Sequence, residues 1–157
     1  MSYFFGGIFI MNYEINENTL AILYDGYDKT KIIELGNEYE INEKAYKIME
    51  ENCEYYGSTY VGRIKAAKKM LNCSYKIPVL VEESNSLIFF PTMSSLAEEC
   101  SWINYSAIQD YVKKNNFVEL RFENNKKIDI DMSKISLENQ LARSSRLESI
   151  IRNRRRQ

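Results

Sequence analysis

Between Tyr13 and Ile41 the apolar residues come in short runs, TLAILY and then KIIEL, cut by Asp25-Gly26 and Gly36-Asn37. β-rich runs joined by such turn formers predict an antiparallel meander of about three short strands. Over residues 43–52 the period changes: Ala45, Ile48 and Met49 fall at helical intervals and predict a short helix, with a second expected over Ser58–Asn72. IPVLVE (77–82) and SLIFFP (86–91), separated by Glu83-Ser84-Asn85, predict another hairpin that ends at Pro91. SWINYSAI (101–108) and NFVELRF (116–122) continue the β character. Glu123-Asn124-Asn125 reads as the turn into KKIDIDM (126–132), where Ile128, Ile130 and Met132 alternate with polar residues. From Ser136 the period is helical again, with Leu137, Leu141, Ser144, Leu147 and Ile151 on one stripe, Ser136 as N-cap and Glu138 in the first turn. The fold class expected is α+β: a mainly antiparallel sheet able to curl into a barrel, a central helix pair and a C-terminal amphipathic helix.

The 157 residues suit one domain, assigned to 13–157, behind an N-terminal extension of residues 1–12 that can remain disordered. MSYFFGGIFI is apolar but lacks a basic n-region and a small-residue cleavage pattern, and it falls short of the roughly 20 apolar residues of a membrane span. Met11 opens a second credible start, so the first ten residues read as an upstream extension.

Charge changes the picture more than composition does. The net charge of -1 hides a polarised chain, since residues 1–60 hold 4 Lys/Arg against 11 Asp/Glu and residues 61–157 hold 17 against 11. Such polarity points to a polyanionic partner for the second part. The chain has no histidine, which removes Ser-His-Asp and Cys-His nucleophile pairs and histidine metal sites. Cys53, Cys73 and Cys100 form no CxxC and are odd in number, so reduced structural thiols in a cytoplasmic protein are expected, with no metal, cofactor or catalytic residue.

Gly57-x-x-x-x-Gly62 has the spacing of a phosphate loop, but Arg63 and Ile64 stand where that loop needs Lys and a hydroxyl to hold magnesium. A binding surface is the better reading. No acidic residue interrupts Val61–Asn72, and helical geometry turns Lys65, Lys68 and Lys69 away from Ile64, Ala67 and Leu71. Arg63 and these lysines are candidate contacts to a polyanion, with Gly57 and Gly62 allowing a tight backbone path and Tyr60 adding a flat side chain at its start. The tail RSSRLESIIRNRRRQ adds six arginines against Glu148 alone, and Arg143, Arg146 and Arg152 are taken from it as further contacts. The bland alternatives are a solvated basic face and an arginine-rich helix end that complements its macrodipole. Glu82-Glu83 and Asp129 with Asp131 read as solvated carboxylates, not an acid–base pair, and Trp102 reads as core.

CEYYGSTYVGR (53–63), PVLVEESNSLIFFPTMSS (78–95), CSWINY (100–105) and SLENQLARSSRLESII (136–151) resemble, in order and spacing, the competence transcription factor family ComK. The resemblance implies a transcriptional activator of DNA-uptake genes that binds paired A/T-rich boxes of double-stranded DNA through the minor groove, as a homodimer or higher oligomer. Narrow A-tract grooves attract Arg and Lys without a recognition helix, which suits a chain with no helix-turn-helix signature. A proteolytic adaptor is a further family partner, acting on a tail beyond the arginine-rich segment. This sequence ends at Gln157, and a short paralogue that modulates a full-length activator through protein contacts is the second expectation.

Overall fold

The computed structural model describes residues 3–5 and 8–156. Tyr3–Phe5 (β1) pairs antiparallel with Ile8–Ile10 (β2). The predicted meander forms as Thr19–Tyr24 (β3), Thr30–Glu34 (β4) and Glu38–Ile41 (β5). Gly26 supplies the positive φ of 106° that the first of its turns requires. Ala45–Tyr55 (α1) and Tyr60–Leu71 (α2) are the central helix pair. Val79–Glu82 (β6), Leu87–Pro91 (β7) and Trp102–Asn104 (β8) follow, and β8 returns beside β3 to give one six-stranded antiparallel sheet, β5-β4-β3-β8-β7-β6. Asp110–Lys113 (β9), Val118–Arg121 (β10) and Lys127–Ile130 (β11) make a separate three-stranded antiparallel sheet, and Lys134–Arg155 is the long helix α3. The class is α+β as expected, with neither the six-stranded nor the three-stranded sheet closed into a barrel.

The continuous apolar runs are explained by burial of the large sheet on both faces. Ile22, Ile32, Val79, Val81, Phe89 and Trp102 face α1, where they meet Ala45, Ile48, Met49 and Cys53. Their neighbours Ala21, Ile33, Phe90 and Ile103 face the other way, onto Val118, Leu120, Ile128 and Ile130 of the small sheet and Leu137 of α3. A register shift between Thr19 and Ala21 lets Leu20 and Ala21 serve this second face together. A third cluster joins Ala67 and Leu71 of α2 to Leu80, Ile88 and to Leu147 and Ile151 of α3, which locks α2 and α3 side by side.

Two expectations are corrected. Ser133, not Ser136, caps α3: its hydroxyl accepts from the Ser136 N–H at 3.1 Å, so the helix starts almost a turn early and Glu138 lies beyond the first turn. β9, DYVK, was not expected, because a mostly polar edge strand carries only half of an alternating pattern. The apolar stripe of α3 also contains Gln140, 2% exposed, whose amide donates to the carbonyls of Lys76 (2.9 Å) and Pro91 (3.1 Å).

Candidate nucleic-acid interface

The stretch that joins α1 to α2 is built from two helix ends. Ser58 N–H donates to the Cys53 carbonyl (2.9 Å) and Gly57 N–H to that of Glu54 (3.0 Å), the paired bonds of a Schellman stop with Gly57 at φ +91°. Two residues later Thr59 caps α2, its hydroxyl accepting from Gly62 N–H at 2.9 Å. A Cβ at Gly62 would lie 2.9 Å from that same hydroxyl, so glycine here keeps the cap closed. Thr59→Ala is expected to cost about 1 kcal/mol, with a matching fall in the urea midpoint at constant slope.

From this start α2 presents Lys65, Lys68 and Lys69 to solvent while Ala67 and Leu71 are buried. Arg63 is half-buried on another flank of the helix, close enough to Cys53 to pull on its thiol. Tyr60 is 5% exposed and packs edge-on against Tyr46 at 4.8 Å, and Trp102 is fully buried, 6.4 Å from the same ring. Both aromatics belong to the core.

Lys65 and Lys68 form one wall of a groove of about 370 Å³. Its other walls come from Tyr75, Lys76 and Ile77 in the segment between α2 and β6, and from Ser94, Ser95 and Leu96. Val61, Tyr75 and Leu96 are exposed apolar rims of this groove. Arg143 reaches the same segment from α3: its Nη1 donates to the Tyr75 (3.0 Å) and Lys76 (3.3 Å) carbonyls, and its guanidinium stacks 5.6 Å from the Tyr75 ring centre. It works as a clip that fixes one wall. Arg146, exposed and three residues on, shares its flank of α3. Arg152 lies on the opposite flank, 3.3 Å from Glu148, and Arg155 is 3.9 Å from Glu83.

The structure therefore brings Lys65 and Lys68 together with Lys76, with Lys69 exposed on the same helix, and leaves Arg63 and Arg152 apart. Lys76, Tyr75 and Leu96 were missed in the sequence; the signal was a basic residue behind an exposed tyrosine in the lead-in to a strand. The charge polarity of the chain survives folding, since another concavity gathers Glu14, Glu17, Glu34 and Glu82.

Burial pushes the Cys53 thiol up to about 12, against the pull of Arg63, and the Cys100 thiol up to about 11. Neither is a thiolate at neutral pH. Among the described residues no cluster of His, Cys, Asp and Glu could hold a metal ion, and no helix is long and apolar enough to cross a membrane.

Comparison with known proteins agrees with the resemblance carried by the sequence blocks. No solved structure gives a significant match. The competence transcription factor of Bacillus subtilis (strain 168) is 33% identical over 148 residues, which cover 91% of this chain and 77% of that protein. The family model for the ComK protein matches residues 10–156, and with nearly the whole folded chain inside that match, this protein belongs to the ComK family.

Proposed function

We propose that this protein is a DNA-binding regulator of competence genes, with no catalytic role, that holds A/T-rich boxes through the minor groove. The observation that carries the reading is the exposed face of α2, where Lys65, Lys68 and Lys69 stand free of any acidic neighbour on their own helix. The phosphate backbone supplies a large share of protein–DNA affinity, and such a face can supply the countercharge. Lys76 and Arg146 extend the surface and Arg143 acts mainly by holding one of its walls, while Arg63 and Arg152 stand apart from it. The regulator works as a homodimer or higher oligomer, which suits paired boxes.

A second reading, a protein-interaction module that modulates a longer activator, is favoured by the apolar rims Val61, Tyr75 and Leu96. A gel-shift titration on a promoter with paired A/T boxes, run at two salt concentrations, separates them. The DNA reading expects specific binding that weakens steeply with salt and that distamycin displaces. Binding no tighter than the non-specific range of about 10⁻⁴ to 10⁻⁶ M overturns it in favour of the second.

A further inference from the structure

Each wall of the groove beside α2 is held by bonds of its own. α2 is fixed by the Thr59 cap and by Ala67 and Leu71 in the core. The segment ahead of β6 is fixed from α3, where Gln140 donates to the Lys76 carbonyl and Arg143 to the carbonyls of Tyr75 and Lys76. Those bonds hold Lys76 at φ +53°, a left-handed conformation that is uncommon for lysine and persists where the surroundings impose it. The loop after β7 is fixed by a turn from the Ala97 N–H to the Ser94 carbonyl at 2.9 Å. At its base the Thr92 N–H donates to the Ser101 carbonyl (2.8 Å) and the Ser101 N–H to the Thr92 hydroxyl (3.1 Å). Walls set in advance are the usual form of a small-molecule site, and the volume of about 370 Å³ falls within the usual range of about 300–1,000 Å³.

The lining combines two kinds of chemistry. Val61, Ile64, Ile77 and Leu96, with the rings of Tyr46 and Tyr75, make most of it apolar. Lys65, Lys68 and Lys76 add their ammonium groups, and among the described residues no acidic side chain lines the groove to neutralise them. At its base Tyr60 is buried with its hydroxyl left without a hydrogen-bond partner, the Ser95 hydroxyl beside it. An apolar groove by itself would accept any hydrophobic group, and lysines by themselves any anion. Together they select a molecule that is apolar along its length and negative at one end. We infer that the groove binds a small amphipathic carboxylate, its apolar part against Ile64, Ile77 and Leu96 and its head among Lys65, Lys68 and Lys76.

Occupancy has a consequence for the face of α2. Lys65 and Lys68 belong both to the groove and to the surface proposed for DNA, so a bound carboxylate and the DNA phosphates compete for the same charges. This consequence rests on the nucleic-acid reading, whereas the ligand site itself does not. One neutralised phosphate contact removes about 0.9 from the slope of log affinity against log salt, which at 0.1 M salt is about eightfold relative to a 1 M reference. The ligand therefore acts as a brake that loosens the regulator from DNA.

The probe is decanoate, titrated calorimetrically into the full chain below its micelle concentration. One site is expected, with octanoate bound about fifteenfold more weakly, since each methylene moved from water to an apolar lining is worth about fourfold. Lys65→Gln with Lys76→Gln is expected to weaken decanoate about tenfold at unchanged circular dichroism. Decyltrimethylammonium, the same chain with its charge reversed, is expected not to bind. No decanoate binding, equal affinity for octanoate and decanoate, or equal binding of the cationic analogue overturns the assignment. Failure of decanoate beside binding of a peptide of alternating leucine and glutamate gives the groove to a protein partner and overturns it too. In gel shifts, saturating decanoate is expected to weaken A/T-box binding about eightfold, and unchanged DNA affinity overturns the braking role. A chain that binds decanoate as expected but no A/T-box DNA overturns the nucleic-acid reading and leaves the ligand site standing.

Discussion

Replacing Lys65, Lys68 and Lys69 together with alanine is expected to weaken binding to an A/T-box promoter by about 500-fold at 0.1 M salt, with no loss of fold. Each phosphate contact contributes about 0.9 to the slope of log affinity against log salt on duplex DNA. Three lost contacts remove about 2.7 from that slope, which at 0.1 M is the stated factor relative to a 1 M reference. The fold is spared because all three side chains are exposed and make no ion pair or hydrogen bond among the described residues. The loss should be nearly uniform across DNA sequences, as phosphate contacts position a protein without reading bases. Gel shifts at several salt concentrations give the slope, and circular dichroism checks the fold. An unchanged slope would move the DNA contact off α2.

The largest effect on stability is expected from Asn52→Ala, at about 3 to 4 kcal/mol. Asn52 is fully buried on α1, and its side chain bridges the helix to the segment ahead of β3. Its Oδ1 accepts from Ile15 N–H at 2.8 Å, and its Nδ2 donates to the carbonyls of Tyr13 (2.9 Å) and Ile48 (2.8 Å). Alanine leaves the Ile15 N–H and the Tyr13 carbonyl without that partner, at about 1–3 kcal/mol for each buried group, before any cavity is counted. The Tyr56 hydroxyl, which donates to the Ile15 carbonyl at 2.7 Å, holds only the other side of the same residue. A domain of this size loses about 2–4 °C of Tm per kcal/mol, so thermal unfolding should shift down by roughly 6–16 °C. A shift below about 2 °C would mean that water or a backbone adjustment replaces the amide.

How legible this was in the sequence follows the range of the forces involved. The meander around Asp25-Gly26 and Gly36-Asn37, and the lysine face of α2, depend on neighbours within a few positions, and the pattern shows them directly. The α3 cap was placed three residues late because Ser133 and Ser136 are chemically equal candidates, and only the path of the chain after Ile130 decides between them. β9 was hidden by having one apolar face and one open edge. The role of Arg143 was out of reach for another reason. Its partners are main-chain carbonyls of Tyr75 and Lys76, 68 and 67 positions away, and a carbonyl leaves no mark in a sequence. Family membership came from the order of whole blocks, which periodicity cannot supply.

Between the Gly57 stop and the Thr59 cap only Ser58 is left as a joint, and both neighbours are held by side-chain or main-chain bonds. α1 is anchored in the core, so α2 is aimed before any partner arrives. A surface aimed in advance loses little chain entropy on contact, so its affinity should depend on how well the ligand's spacing matches the lysines rather than on the work of ordering the protein.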